Sequence, residues 1–169
     1  MNGQFLAYLP LLGVWLIAGS ALVVIDIRTH RLPNRIVFSL YPLVVLALVL
    51  GQALGGLGQW PQALIGAGIW ALLLGSVWLV TSGKAMGFGD VKLAPVLGLS
   101  LGWFGWDIAA VGVICAWVLG GMFAGLAILI GRASRSSAIA FGPFLVAGFW
   151  TALALGPWMV HGEFIVQSG

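Results

Sequence analysis

Charge is scarce along this chain: 169 residues carry seven Lys or Arg, four Asp or Glu and two His. No polar block is long enough to fold as a soluble second domain, so a single domain over residues 1–169 is expected. The net charge of +3 comes in short basic clusters between apolar runs, a pattern that argues against a nucleic-acid partner. Cysteine is almost missing. Cys115, in Val-Ile-Cys-Ala-Trp, stands alone, which excludes an intramolecular disulfide, a CxxC pair and a thiolate metal centre, and it reads as a small packing residue.

What fills the chain instead is hydrocarbon. Hydrophobic residues make up 62% of it and charged ones 7%, with repeated uncharged stretches near the ~20 residues that cross a bilayer. The fold class is therefore an all-α integral membrane protein. Met1 to Gln4 carry no basic side chain, and the apolar run from Phe5 to Ile25 is longer than a signal-peptide core and lacks a clear small-residue cleavage site, so it reads as a retained helix. Six transmembrane helices are predicted, near 5–26, 36–54, 62–81, 90–105, 108–130 and 139–160.

The basic residues fall in alternate loops: Arg28, Arg31 and Arg35; Lys84 and Lys92; Arg132 and Arg135. The other loops and the tail hold Asp107 and Glu163 but no Lys or Arg. With six spans, both termini outside is the arrangement that keeps every positive charge in the cytoplasm, where those side chains would touch anionic lipid. Trp60, Trp103, Trp106 and Trp158 cluster near the outer ends, as interfacial aromatics do.

Two of the four acids are out of keeping with this pattern. Asp26 ends the first predicted span and Asp90 begins the fourth, so both are expected at one depth, at the cytoplasmic boundary. Two carboxylates held together cannot both ionise cheaply, so such a pair keeps one proton and can divide the roles of general base and general acid on a water. A metal is not required: there is no HExxH, and His30 and His161 are expected on opposite sides of the membrane, so no metal and no other cofactor is implied. Each acid also has a plainer reading, Asp26 as a helix end paired with Arg28 or Arg31, Asp90 as an N-cap favoured by the helix dipole. Gly83, Gly87 and Gly89 allow tight turning and close approach before Asp90, and Pro95 and Gly98 interrupt the span that follows. Lys92 reads as a membrane-surface anchor or as a group that tunes the pair. Gly98-x-x-x-Gly102 and Gly121-x-x-x-Gly125 fit close helix crossings.

Three elements in order carry a family resemblance: Asp26 followed by Arg-x-x-Arg-Leu-Pro33-Asn34, then Gly87-Phe-Gly89-Asp90-Val-Lys92-Leu, then Ala140-Phe-Gly142-Pro143-Phe-Leu. The chain resembles the type IV prepilin peptidases, membrane aspartyl proteases of the GxGD class. The resemblance implies that Asp26 and Asp90 are the catalytic pair and that Gly87 and Gly89 shape the turn presenting Asp90. Lys92, Pro33, Asn34, Gly142 and Pro143 would shape the site around them. It implies a bacterial or archaeal inner-membrane enzyme whose site faces the cytoplasm, and whose partners are prepilin or pseudopilin precursors, cut after a glycine where a short basic leader meets an apolar helix. Larger members carry a cysteine-motif region and methylate the new N-terminus; its absence here resembles the short peptidases of Tad/Flp-type pili. The alternative is a small proton-coupled transporter with Asp26 and Asp90 as a relay, against which both acids lie near one surface and away from the midplane.

Overall fold

The structure is a computed structural model that describes residues 3–30, 32–84, 86–131 and 140–161. Arg31, Arg132, Arg135 and Glu163, together with Met1 and Asn2, lie outside the described residues, and at Trp158 and His161 the backbone alone is described.

Hydropathy of this strength leaves the backbone no partner but itself, and helix is the answer throughout the described residues. The N-terminal rod combines α1 (Gly3–Val14), a π-helical stretch (Trp15–Gly19) and α2 (Ser20–Thr29). It is followed by α3 (Asn34–Ala53), α4 (Trp60–Val80), α5 (Phe88–Gly102), α6 (Trp106–Leu129) and α7 (Gly142–His161). Counted as rods, the described residues form six helices, as the apolar runs predict. The last one begins at Gly142 and not at 139, which puts Pro143 in the first turn, where its missing N–H costs nothing.

Four of these helices, Leu6–Thr29, Asn34–Ala53, Trp60–Val80 and Trp106–Leu129, are long and apolar enough to cross a membrane. Helix α5 differs in kind. Its 15 residues rise only about 22 Å, short of a ~30 Å hydrocarbon layer, and ten of them are buried. It is enclosed by α3, α4, α6 and α7. Pro95 is the eighth residue of α5, beyond the first turn, where proline costs least; a helix walled in on several sides tolerates that interruption where an isolated one would not.

Glycine makes the enclosure possible on one side. A Cβ at Gly66 or Gly98 would collide with the other's carbonyl, and one at Gly102 would lie 2.6 Å from the Gln62 carbonyl oxygen, so α4 and α5 touch backbone to backbone. The expected crossing at Gly98-x-x-x-Gly102 is therefore present. Among the described residues the one at Gly121-x-x-x-Gly125 is not: Cβ atoms added at either position meet nothing within 4 Å, because both glycines lie on the exposed face of α6. Buried polar atoms stitch the remaining sides. Trp15 Nε1 donates to Ser100 Oγ (2.9 Å), Ser100 Oγ donates to the Val96 carbonyl (2.8 Å), and Trp70 Nε1 donates to the Ala109 carbonyl (2.8 Å).

The two ends of the bundle differ in chemistry. Arg28, Arg35 and Lys84 are exposed, near the Asp26 and Asp90 end of their helices; Trp60, Trp106 and Asp107 belong to the opposite end. Trp103 departs from the interfacial role expected of it. It is 3% exposed, packed edge-on against Trp60 at 5.0 Å and covered by Gly58, where any Cβ would strike its ring.

Candidate active site

Asp26 lies three residues before the end of α2, so its carboxylate is delivered to the end of a rod whose neighbouring residues Val24 and Ile27 are exposed and apolar. The acid itself is 4% exposed. A carboxylate removed from water needs a donor, and α7 supplies one: the Gly142 N–H donates to Asp26 Oδ2 at 2.9 Å. The contact is close enough that a Cβ at Gly142 would sit 2.6 Å from the same oxygen. His30, in left-handed backbone conformation as the C-cap of α2, donates its N–H to the Asp26 carbonyl at 2.8 Å.

Asp90 is the third residue of α5, in a first turn where the helix dipole favours negative charge. It is 6% exposed, and its backbone N–H donates to the Gly87 carbonyl at 3.1 Å. Asp90 Oδ1 is buried and, among the described residues, has no hydrogen-bond partner. An acceptor in that state costs about 1–3 kcal/mol, so its full capacity stays with whatever enters the site. The charge of Asp26 acts directly on Asp90. Two acids from separate helices, 64 positions apart in the sequence, are thus both buried and within electrostatic reach of one another.

The surrounding residues divide by how they act. Gly89 lets two segments meet: a Cβ there would lie 2.8 Å from Leu32 Cβ, so glycine brings the start of α5 against the turn between α2 and α3. Gly87 caps α5 in extended backbone (φ −71°, ψ 150°), and a Cβ there would be in ordinary contact, 3.6 Å from Asp90 Oδ2. The positive φ values near this turn belong instead to Ser82 and Gly83, at the end of α4. Pro33 caps α3, its carbonyl accepting from the Ile36 and Val37 N–H groups. Asn34 Oδ1 accepts from Lys92 Nζ at 3.0 Å, and the same ammonium stands over the rings of Phe88 (4.7 Å) and Phe38 (5.5 Å). Lys92 is thereby a tie between α3 and α5, in place of the free anchor that its position suggests. Tyr41 reinforces the tie by donating its hydroxyl to the Lys92 carbonyl at 2.8 Å.

Gly142 and Pro143 open α7 beside Asp26, and residues that sequence reasoning missed hold them there. The Phe141 ring packs on Trp117 at 5.2 Å, and a Cβ at Gly120 would lie 2.7 Å from that ring. No spacing in the sequence links positions 117, 120 and 141; they meet because α6 and α7 are antiparallel neighbours. The Phe88 ring likewise packs on Trp78 at 5.0 Å.

Chemically, two buried acids with a lysine, glycines and main-chain donors around them can move protons to and from a bound molecule. Residues 11–160 match the model of the type IV leader peptidase family. Among curated relatives, the prepilin leader peptidase/N-methyltransferase of Stutzerimonas stutzeri is 32% identical over 140 residues, covering 80% of this chain and 46% of that protein. The protein of the same name from Aeromonas salmonicida strain A449 is 32% identical over 150 residues (86% and 48%), and that of Escherichia coli strain K12 is 34% identical over 145 (83% and 60%). The chain spans about half the length of the curated relatives it matches. No solved structure matches it at comparable stringency. With its family model covering nearly the whole sequence, the chain belongs to the type IV leader peptidase family.

Proposed function

We propose that this protein is a membrane endopeptidase of the aspartic type that removes the short leader from prepilin-like precursors, with Asp26 and Asp90 as its catalytic pair. The observation that carries the reading is the burial of two acids, 4% and 6% exposed, within electrostatic reach of one another, one of them with a buried oxygen that no described residue satisfies. Family membership and the names of the relatives support the peptidase reaction and the substrate class.

The chemistry follows from a pair that shares one proton. The ionised carboxylate takes a proton from water as the water oxygen bonds to the scissile carbonyl carbon, and the protonated partner gives its proton to the carbonyl oxygen. The resulting diol collapses: one of its hydroxyls returns a proton to the acid that had protonated the carbonyl oxygen, the C–N bond breaks, and the acid that took the first proton gives it to the leaving amine. No third group is needed to balance the protons. The alternation of basic loops supports a site facing the cytoplasm, with both termini outside, in an inner membrane. Gly87, Gly89, Pro33, Asn34, Lys92, Gly142 and Pro143 would shape the site by the contacts described above. No observation favours the alternative of a proton-coupled transporter.

The reading is tested by incubating membranes that contain the chain with a prepilin-like precursor and sequencing the new N-terminus. Cleavage directly after the glycine at the leader junction, lost in Asp26→Asn and in Asp90→Asn with the protein still inserted, is the expected result. Continued cleavage by either variant would overturn the assignment of the pair.

A further inference from the structure

The way α7 begins leaves one main-chain donor free, and it goes to Asp26. Of the first four residues, Pro143 has no N–H, while the Phe144 and Leu145 N–H groups both donate to the Phe141 carbonyl, at 3.0 and 3.2 Å. Gly142 remains, and its N–H donates to Asp26 Oδ2 at 2.9 Å. The donor is itself fixed from behind: the preceding residue, Phe141, has its ring held on Trp117 and pressed into the gap left by Gly120. A Cβ at position 142 would lie 2.6 Å from Oδ2 and 3.1 Å from Cγ of the acid it serves, so a side chain there would push the carboxylate from its place.

An oxygen whose lone pair is engaged by an N–H is poorly placed to carry the carboxyl proton. Across the site, Asp90 Oδ1 is buried with no partner among the described residues. Both acids take a main-chain N–H, and on Asp90 one buried oxygen, Oδ1, keeps its capacity unused among the described residues.

We propose that Gly142 is a positioning residue for leader cleavage: its N–H holds Asp26 Oδ2, leaving Asp26 Oδ1 as the oxygen that exchanges protons with the reacting water and with Asp90. The proposal rests on the catalytic reading of the two acids but is tested apart from it. Its substitution should act on the chemical step, because the group touches Asp26 and not the substrate.

The test uses the whole chain in lipid nanodiscs, labelled with 13C at the Phe carbonyl and 15N in Gly. The sequence contains three Phe-Gly pairs, 88–89, 104–105 and 141–142, so three amide signals are selected, and the one lost in Gly142→Ala is that of Gly142. In Asp26→Ala the Gly142 amide proton should move far upfield while that of Gly105, at the opposite end of the bundle, stays in place. A Gly142 signal indifferent to Asp26 would overturn the proposal, whether or not the chain cleaves prepilin.

Kinetics give the second arm. Gly142→Ala should lower kcat at least about tenfold per folded molecule, with KM within about twofold. Gly148→Ala is the packing control: a Cβ there is more crowded, 2.6 Å from the Gly112 carbonyl oxygen and 2.7 Å from the Ala116 backbone nitrogen, and neither acid is among its nearest atoms. Equal loss of kcat in both variants would reduce Gly142 to packing and refute the proposal. If Gly142→Ala does not fold, the wild-type and Asp26→Ala spectra still decide, with the Gly142 signal then assigned by elimination through Gly89→Ser and Gly105→Ala. Should Asp26→Asn retain cleavage while the Gly142 signal still responds to Asp26, the catalytic reading fails and the contact stands.

Discussion

Asp26 and Asp90 reach the same burial by opposite routes. Asp26 sits near the end of a long rod with exposed apolar neighbours and is held by a partner, the Gly142 N–H. Asp90 opens a helix of 15 residues that is enclosed by its neighbours, and Oδ1 has no partner among the described residues. Both acids take a main-chain N–H, that of Gly142 on Asp26 and that of Gly87 on Asp90, but only Asp90 belongs to a helix walled in by its neighbours. The difference teaches that Asp26 should respond to changes at the start of α7, and Asp90 to changes in the packing of α5.

The largest effects should come from the acids. Asp26→Asn and Asp90→Asn are each expected to lower cleavage by about 100-fold or more, the usual range of a lost general acid or base, with insertion unchanged in a protease-protection assay. Activity in either would dissolve the comparison. Next is pH: kcat should trace a bell, falling about tenfold per unit on the acid side, where both carboxyls are protonated and the base is lost. It should fall likewise on the alkaline side, where both are ionised and the acid is lost. A profile flat across that range would deny a shared proton.

Smaller effects sharpen the contrast. Gly89→Ala forces a Cβ to within 2.8 Å of Leu32 and should cost about 1–3 kcal/mol of stability, whereas Gly87→Ala, which has room, should cost much less. Thermal unfolding in detergent compares them, and equal costs would contradict the packing account of Asp90. Smallest is Asn34→Ala, which frees Lys92 from a half-exposed tie and should change stability by about 1 kcal/mol or less, leaving kcat nearly intact.

Much of this was legible in the sequence, for reasons that also mark where legibility stops. Hydropathy predicts the six helical segments because each apolar run is about the length of a rod, and the two acids stand out because an ionisable group among such residues costs about 2.5–3.5 kcal/mol at the centre of a bilayer helix. Hydropathy reports composition and not enclosure. It therefore does not tell α5, whose ten buried residues face protein, from its more exposed neighbours. The same limit explains Gly121 and Gly125: their spacing matches that of Gly98 and Gly102, yet a crossing requires a second helix on that face, which spacing does not encode. Trp103 shows it again, an aromatic at a helix end that turns inward beneath Gly58. The π-helical stretch at Trp15–Gly19 has no proline or glycine pair to announce it; it accompanies the hydrogen bond from Trp15 to Ser100, a contact between positions 85 apart.

The central claim is that two acids from α2 and α5 form one site. Oxidative cross-linking of Asp26→Cys/Asp90→Cys in a Cys115→Ser background tests it most directly, with Leu32→Cys/Gly89→Cys as the positive control. A rapid intramolecular disulfide in membranes, found by mass spectrometry in the non-reduced peptide joining residues 26 and 90, is the predicted result. Efficient cross-linking of the control pair with none between 26 and 90 would contradict it.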